Sequence, residues 1–477
     1  MSELTWLSTR ELAAEIAAGR ISAREALADH LARIDEVNPA INAIVTLDAE
    51  AAEQAAAAAD DAHARGESLG LLHGVPMTHK DTHDTAGMRS THGSPLWADR
   101  VPADDSVIIA RLRAAGVITT GKSNVPEFAA GSHTFNPVFG TTVNPYDTTK
   151  SASGSSGGVG AALAAGIQAS GDGSDMGGSL RTPGSFNNVV GFRPSHGRIP
   201  KLAPDNPHAW LSQSGFMART VSDIALLMQA GCGPATGAPW EVGEPGSVFD
   251  LPEFRLGTVY QPELSGVRVG FSPDFGGQIP VEAEVAEIVA AAAEVFVGLG
   301  AEVTEDVPNL EDADEVFRTQ RAYDFAMVFE EMVEAGGREQ MKKSLVDNID
   351  AGFALTAADV RSKDAARVRL GAELWKYFET CDVFVTTTSQ VLPFDAEIEY
   401  PTEINGEPMA DYLSWMRAAT LISATGCPAV SVPAGFSESG LPVGIQIVAA
   451  PGRDVELMRI AHAFEAVTEH HLRHPQL

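Results

Sequence analysis

The apolar positions of this chain change spacing along its length, and each spacing marks an element. Ser8-Thr9-Arg10-Glu11 and Ser22-Ala23-Arg24-Glu25 each set a serine three residues before a glutamate, the reciprocal cap that opens a helix. They predict helices of about nine and about 14 residues, the first closed by Gly19 and the second stopping before Pro39. Residues 41–47 then read as a strand, and Ala49–Ala64 as a further helix. Residues 71–80 (LLHGVPMTHK) are mostly apolar and read as a buried strand. A helix over 106–115 leads into the β-branched strand VITT, and the next helix waits until Pro126. Residues 267–271 are strand-like. Val281, Val285, Ile288, Ala292, Val295 and Leu299 keep helical spacing, and 302–307 returns to extension, a β-α-β unit. Long helices are expected over 312–380, strands over 383–388, 424–435 and 440–448, and a last helix over Asp454–Thr468.

At 477 residues and 44% hydrophobic content, the chain has room for a large core. The formal net charge of −31 opposes binding to nucleic acid or to an anionic membrane surface. Cys232, Cys381 and Cys427 are few and far apart, which argues for a reducing, cytoplasmic setting and against a disulfide framework. No run of about 18 apolar residues is present, and the first residues lack the basic and apolar regions of a secretory leader.

Residues 151–200 depart from this background. Ser155 lies in Gly154-Ser155-Ser156-Gly157-Gly158, and Ser179 follows Gly177-Gly178. Such glycine points to backbone N–H groups approaching a ligand or a developing negative charge. A flexible linker fits poorly, because VGAALAAGI and VVGF would want burial. A dinucleotide cradle fails, because Met176 and Leu163 stand where the third glycine is needed. An acyl-transfer site remains.

This block resembles the amidase signature family. Gly173-Ser174-Asp175-Met176-Gly177-Gly178-Ser179-Leu180-Arg181-Thr182-Pro183 fills that family's second motif, and the first serine segment precedes it at the family's spacing. Gly74-Val75-Pro76 with Lys80-Asp81 resembles the segment holding the family's catalytic lysine. Glu127-Phe128-Ala129 through Asn144-Pro145-Tyr146-Asp147 resembles the loop that walls its acyl pocket. The resemblance runs from about residue 5 to about 470 and is strongest over 70–200 and 380–450. Thr386-Thr387-Thr388 departs from the family's TPT-like segment by losing its proline.

The resemblance implies a single large α/β domain, 1–477, with a mixed, mostly parallel central sheet covered by helices on both faces. Within it, 1–66 would be an N-terminal helical layer and 67–230 the catalytic core. Residues 231–380 would form a variable helix-rich part, and 381–477 the closing strands and helix. Ser179 is the implied nucleophile, Ser155 the relay beside a cis peptide, and Lys80 the base. Met176, Gly177 and Gly178, with Ser179, would give oxyanion N–H groups. Gly131, Ser132 and His133 are pocket candidates, and Asp175 and Arg181 would fix the loop. A lysine serves as a base only if burial lowers its pKa from near 10.4 toward neutrality. The implied reaction is hydrolysis of a linear amide through an acyl-serine intermediate, with no cofactor, a small-molecule partner and a possible homodimer.

Other features compete. His73, His79, His83 and His92 suggest a metal, but they lie on a strand end and loop without a defined third ligand. Gly116–Ser123 satisfies a phosphate-loop pattern formally, yet a strand occupies the place of the loop. His196 is too isolated for a histidine triad, and Cys427 sits in an apolar context without a nearby base. Phe325, Met327, Phe329, Tyr377 and Phe378 are at core spacing but could touch substrate. Two rival functions stand beside hydrolysis. One is the glutaminase-type component of a tRNA-dependent amidotransferase, and the other a non-catalytic binding protein that keeps the fold. Esterase activity would be a side reaction.

Overall fold

Both predicted capping boxes form, with Ser8 and Glu11 opening the helix Thr9–Ala17 and Ser22 and Glu25 opening Ala23–Ile41. The computed structural model describes residues 3–67, 70–202, 209–238 and 241–477. The second helix runs through Pro39 rather than stopping before it. Pro39 lies in its last turn, and the helix closes at Asn42 in the left-handed region (φ 51°). The Asn38 side chain accepts from the N–H groups of Ala43 and Ile44, which satisfies the exit. The strand expected over 41–47 is therefore shorter.

That strand, β1 (Ile44–Leu47), joins β2 (Pro76–Lys80) and β3 (Ile118–Ser123) in a small sheet of order β1-β3-β2. The main sheet has eight strands: β4 (Ser170–Asp175), β5 (Val190–Arg193), β6 (Gln213–Ala218), β7 (Arg268–Phe271), β8 (Glu302–Thr304), β9 (Val383–Thr387), β10 (Ala429–Phe436) and β11 (Pro442–Ala449). Their spatial order is β8-β7-β9-β11-β10-β5-β6-β4.

The sheet is mixed, as the resemblance implies, but it is not mostly parallel. Only β8–β7 and β7–β9 pair in parallel; the remaining five pairings are antiparallel. The reason is non-local. Helix Arg181–Phe186 carries the chain from β4 over to β5 in the same direction, and β6 then slots between them, antiparallel to both. β10 and β11 form a hairpin. The β7-helix-β8 unit is parallel as expected.

Helices cover both faces, and the strand alternation assigns them. Ile445 and Ile447 of β11 enter the large apolar core, where helices Ala283–Gly298 and Asp454–Thr468 pack. Gly444 and Gln446 face the other way, against Ser185 and Arg181 of helix Arg181–Phe186. The chemistry therefore sits on the polar face. Helices Ala313–Glu334, Lys343–Phe353 and Ala357–Thr380 fill the region expected to be helical. No helix among the described residues is long and apolar enough to cross a membrane. Residues 126–130 hold only the short 3-10 turn Glu127–Ala129, not the helix expected from Pro126.

Candidate active site

Lys80 ends β2 and is fully buried. Its Nζ donates to Ser155 Oγ at 2.8 Å, Ser156 Oγ at 2.9 Å and Ser174 Oγ at 3.0 Å. Burial lowers its pKa to about 7, against an opposing pull from Asp175 and Asp172. The amine is thus poised between its charged and neutral forms near neutrality.

Three neighbouring segments hold it there. The Gly154–Ser155 peptide bond is cis, and Ser156 stands at the residue before the helix Gly157–Ala164, its hydroxyl left to Lys80 rather than bonded to the helix end. Ser156 N–H donates to the Ser179 carbonyl at 3.2 Å, so the second serine's backbone is fixed against the first serine's loop. Asp172 and Ser174 share one face of β4, the face turned toward Lys80. Asp172 accepts from the Lys80 N–H at 3.1 Å and from His79 Nδ1 and His83 Nδ1, both at 2.6 Å. Burial pushes the Asp172 carboxyl upward, but His79 and His83 outweigh it and hold it well below the carboxylate range. These two histidines brace the lysine's strand.

Asp175 points to the other side of β4. Its carboxylate receives Gly178 N–H at 2.9 Å, Leu180 N–H at 3.2 Å and both Nε and Nη2 of Arg181. Arg193 adds a third cationic contact. Burial would raise this carboxyl, but the two guanidiniums keep it strongly depressed. The Gly178 N–H, expected in an oxyanion hole, is instead spent on holding the loop that carries Ser179.

The glycines have a second reason that sequence alone did not show. A Cβ on Gly158 would lie 2.4 Å from the Asn124 backbone nitrogen, so the helix behind Ser155 packs backbone to backbone. Gly178 has φ +108°, and its Cβ would meet the Ala419 Cβ at 2.5 Å. Gly178→Ala must therefore move the loop that carries Ser179. We expect kcat to fall by about 10²-fold or more, checked by steady-state kinetics beside circular dichroism.

The pocket candidates separate. Gly131 lies against the serine loop, its carbonyl 3.2 Å from where a Gly154 Cβ would be. Ser132 Oγ accepts from Trp415 Nε1 at 3.1 Å. The His133 ring is buried and anchored at both nitrogens, Nδ1 to Ser151 Oγ and Nε2 to the Ala396 carbonyl, so it supports the wall rather than presenting a free group. Phe325 and Phe329 form an apolar cluster with Phe128 and Met176 beside the serine loop, whereas Tyr377 and Phe378 pack in the main core and Met327 is exposed.

The competing motifs dissolve in the fold. Lys122 sits in β3, and its Nζ donates to the His83 carbonyl and Thr85 Oγ1, so the phosphate-loop pattern spans a strand. His196 contacts Gln213. Cys427 is fully buried, and burial pushes its thiol up to about 12. Sequence reasoning missed Ser156, Ser174, Asp172 and Arg193. The alternation of SGDGSD was the available signal for Asp172 and Ser174, since residues two apart share a strand face.

The arrangement sets a buried amine against a serine beside a glycine-rich loop, and its residues fall within a known family. A profile of the Amidase family matches residues 25–458. The chain belongs to the amidase signature family. It is 35% identical to the A component of the glutamyl-tRNA(Gln) amidotransferase of Moorella thermoacetica, covering 100% of this chain and 99% of that one. It is 33% identical to an acylamidase of Rhodococcus erythropolis, covering 97% and 96%. Among solved structures, a bacterial aryl acylamidase of the amidase signature family matches with a TM-score of 0.90 at 25% identity, covering 98% of both chains.

Proposed function

We propose that the chain hydrolyses a linear carboxylic amide through an acyl-Ser179 intermediate. The observation that carries this reading is the buried Lys80 amine, held near neutrality by burial and bonded to Ser155 Oγ. Ser179 Oγ forms the new bond to the amide carbon. Its proton passes to Ser155 as the Ser155 proton passes to Lys80. The N–H groups of Met176, Gly177 and Ser179 receive the oxyanion. The C–N bond then breaks, and Lys80 returns the proton through Ser155 to the departing amine. Water repeats the sequence on the acyl-enzyme and releases the acid. The relay needs Ser179 Oγ to turn toward Ser155, beside which its backbone is already fixed.

A second reading keeps the same chemistry but passes the released ammonia to a partner protein. The likeness to the A components of glutamyl-tRNA(Gln) amidotransferases favours it. Turnover of simple amides by the purified chain alone separates the two. The nucleophile is tested with a fluorophosphonate and mass spectrometry. One adduct per chain is expected on Ser179 and none in Ser179→Ala; an adduct elsewhere, or none in the wild type, would overturn the assignment.

A further inference from the structure

Two cations border this site, and no carboxylate among the described residues bonds to either. Arg321, on the helix Ala313–Glu334, is only 5% exposed. Its Nη1 lies 2.9 Å from Met176 Sδ, its Nε donates to Asn348 Oδ1 at 3.1 Å, and its Nη2 donates to the Tyr412 hydroxyl. The guanidinium also lies over the Phe325 ring, 4.1 Å from the centroid. Each of these partners is neutral. Arg318, three residues earlier on the same helix, shows the usual arrangement, paired with Asp314 and Asp411.

Lys342 is the second. Its Nζ is buried and has no hydrogen-bond partner among the described residues. It lies 2.8 Å from the position a Cβ on Gly131 would take. The nearby acids are engaged elsewhere. Glu127 accepts from the Lys342 backbone N–H and from Ser94, and Glu399 accepts from Ser344. Burial lowers the Lys342 pKa to about 8; Glu399 and Glu127 pull it up, and Arg321 pushes it further down.

Both groups touch the loops of the proposed reaction. Arg321 contacts Met176, three residues before Ser179, and Lys342 abuts Gly131 beside the Ser155 loop. Ala130, Phe325, Phe329, Phe128 and Met176 form one apolar cluster, which Arg321 touches at Phe325 and Met176. A buried charge without a partner is costly unless something compensates it. In a chain of net charge −31, with many carboxylates to spare, two buried cations that no described carboxylate bonds point to a ligand that brings its own negative charge.

We infer that the amide substrate carries a carboxylate, which seats between Lys342 Nζ and the Arg321 guanidinium while the amide carbonyl meets Ser179. This rests on the acyl-serine reading and narrows it to anionic amides, such as monoamides of short dicarboxylic acids. The bidentate fork of Arg321 and the point charge of Lys342 suit a carboxylate at the edge of an apolar cluster.

The experiment measures how amides slow fluorophosphonate labelling of Ser179 in the whole chain. Succinamate and glutaramate are compared with butyramide and valeramide, neutral amides of like size. We expect the anionic amides to protect at concentrations at least tenfold lower. Lys342→Met and Arg321→Met should each shrink that ratio toward one. Equal protection by charged and neutral amides in the wild type would sink the anion subsite and leave the acyl-serine reading standing. So would a preference that survives both substitutions. Failure of Ser179 to label at all would sink the acyl-serine reading itself, and with it this inference.

Discussion

Lys80→Met is expected to keep the fold and to lose amide turnover by about 10⁴-fold or more. Methionine matches the lysine stem in length and apolar character, so the channel beneath the serines stays filled. Ser155, Ser156 and Ser174 lose a shared donor, but hydroxyls can rotate to donate to one another. What cannot be replaced is the amine that the proposed relay needs to take the proton from Ser155. The pH profile separates this loss from simple damage. Only neutral Lys80 acts as a base, so wild-type kcat/KM should climb as pH rises toward about 7 and level off above it. The residual rate of the variant should show no inflection there. Stability carries the same signature. The folded lysine titrates near 7, and the ordinary value is 10.5. Between those values the unfolded chain holds a proton that the native chain lacks, so unfolding free energy rises with pH across the window. Below it the buried charge is fully costly, and above it both states are neutral. Lys80→Met should flatten this slope in urea titrations at several pH values. A variant that turns over amide at the wild-type rate would remove the lysine from the mechanism.

The elements that were legible in the sequence are those fixed by local spacing. The helix Asp454–Thr468 and both capping boxes follow from residues three and four apart, and the β7-helix-β8 unit follows from one change of period. The direction of the main sheet was not legible, because nothing near β4 or β5 says that β6 will insert between them. Lys80, Ser155 and Ser179 stood out through the family motifs. Ser156 and Ser174 did not, since serines near glycine read as loop filler until a buried amine is placed among them. The roles of His79 and His83 were not legible for a related reason. Their common partner, Asp172, is about 90 residues away in sequence, and only the packing of β2 against β4 brings the three together. Gly178 shows the opposite error. Its N–H lies in the right motif for an oxyanion, yet Asp175, three residues back, takes it first.

Asp175→Asn should be the most destabilising single-atom exchange near the site, at about 3–5 kcal/mol. The carboxylate is fully buried and gathers donors on both oxygens. Oδ1 receives Gly178 N–H and Arg181 Nη2 and lies 3.3 Å from Arg193 Nη1, while Oδ2 receives Leu180 N–H and Arg181 Nε. An asparagine must turn its NH₂ toward one of these groups, so donors face donors whichever way it flips. It also leaves Arg181 and Arg193 buried with no negative charge between them, which is the costly way to break an ion pair. In the wild type the depressed carboxyl supplies stability that is fully present above its ordinary value of 3.8 and is lost as pH falls below it. The variant should lack that acid-sensitive part at every pH. The exposed pair Asp250–Arg255 serves as the control, because Asp250→Asn removes the same atoms where water screens the charge and should leave the midpoint of unfolding unmoved. Function should follow stability here. With Gly178 and Leu180 released, the loop that aims Ser179 loses its anchor on both sides, so fluorophosphonate labelling should slow even at temperatures where Asp175→Asn is still folded. A variant as stable as the wild type and labelled at the same rate would show that the two arginines find another partner, and that packing against Phe317, Ala419 and Thr420 with the Ser156 N–H bond to the Ser179 carbonyl is enough to hold the loop.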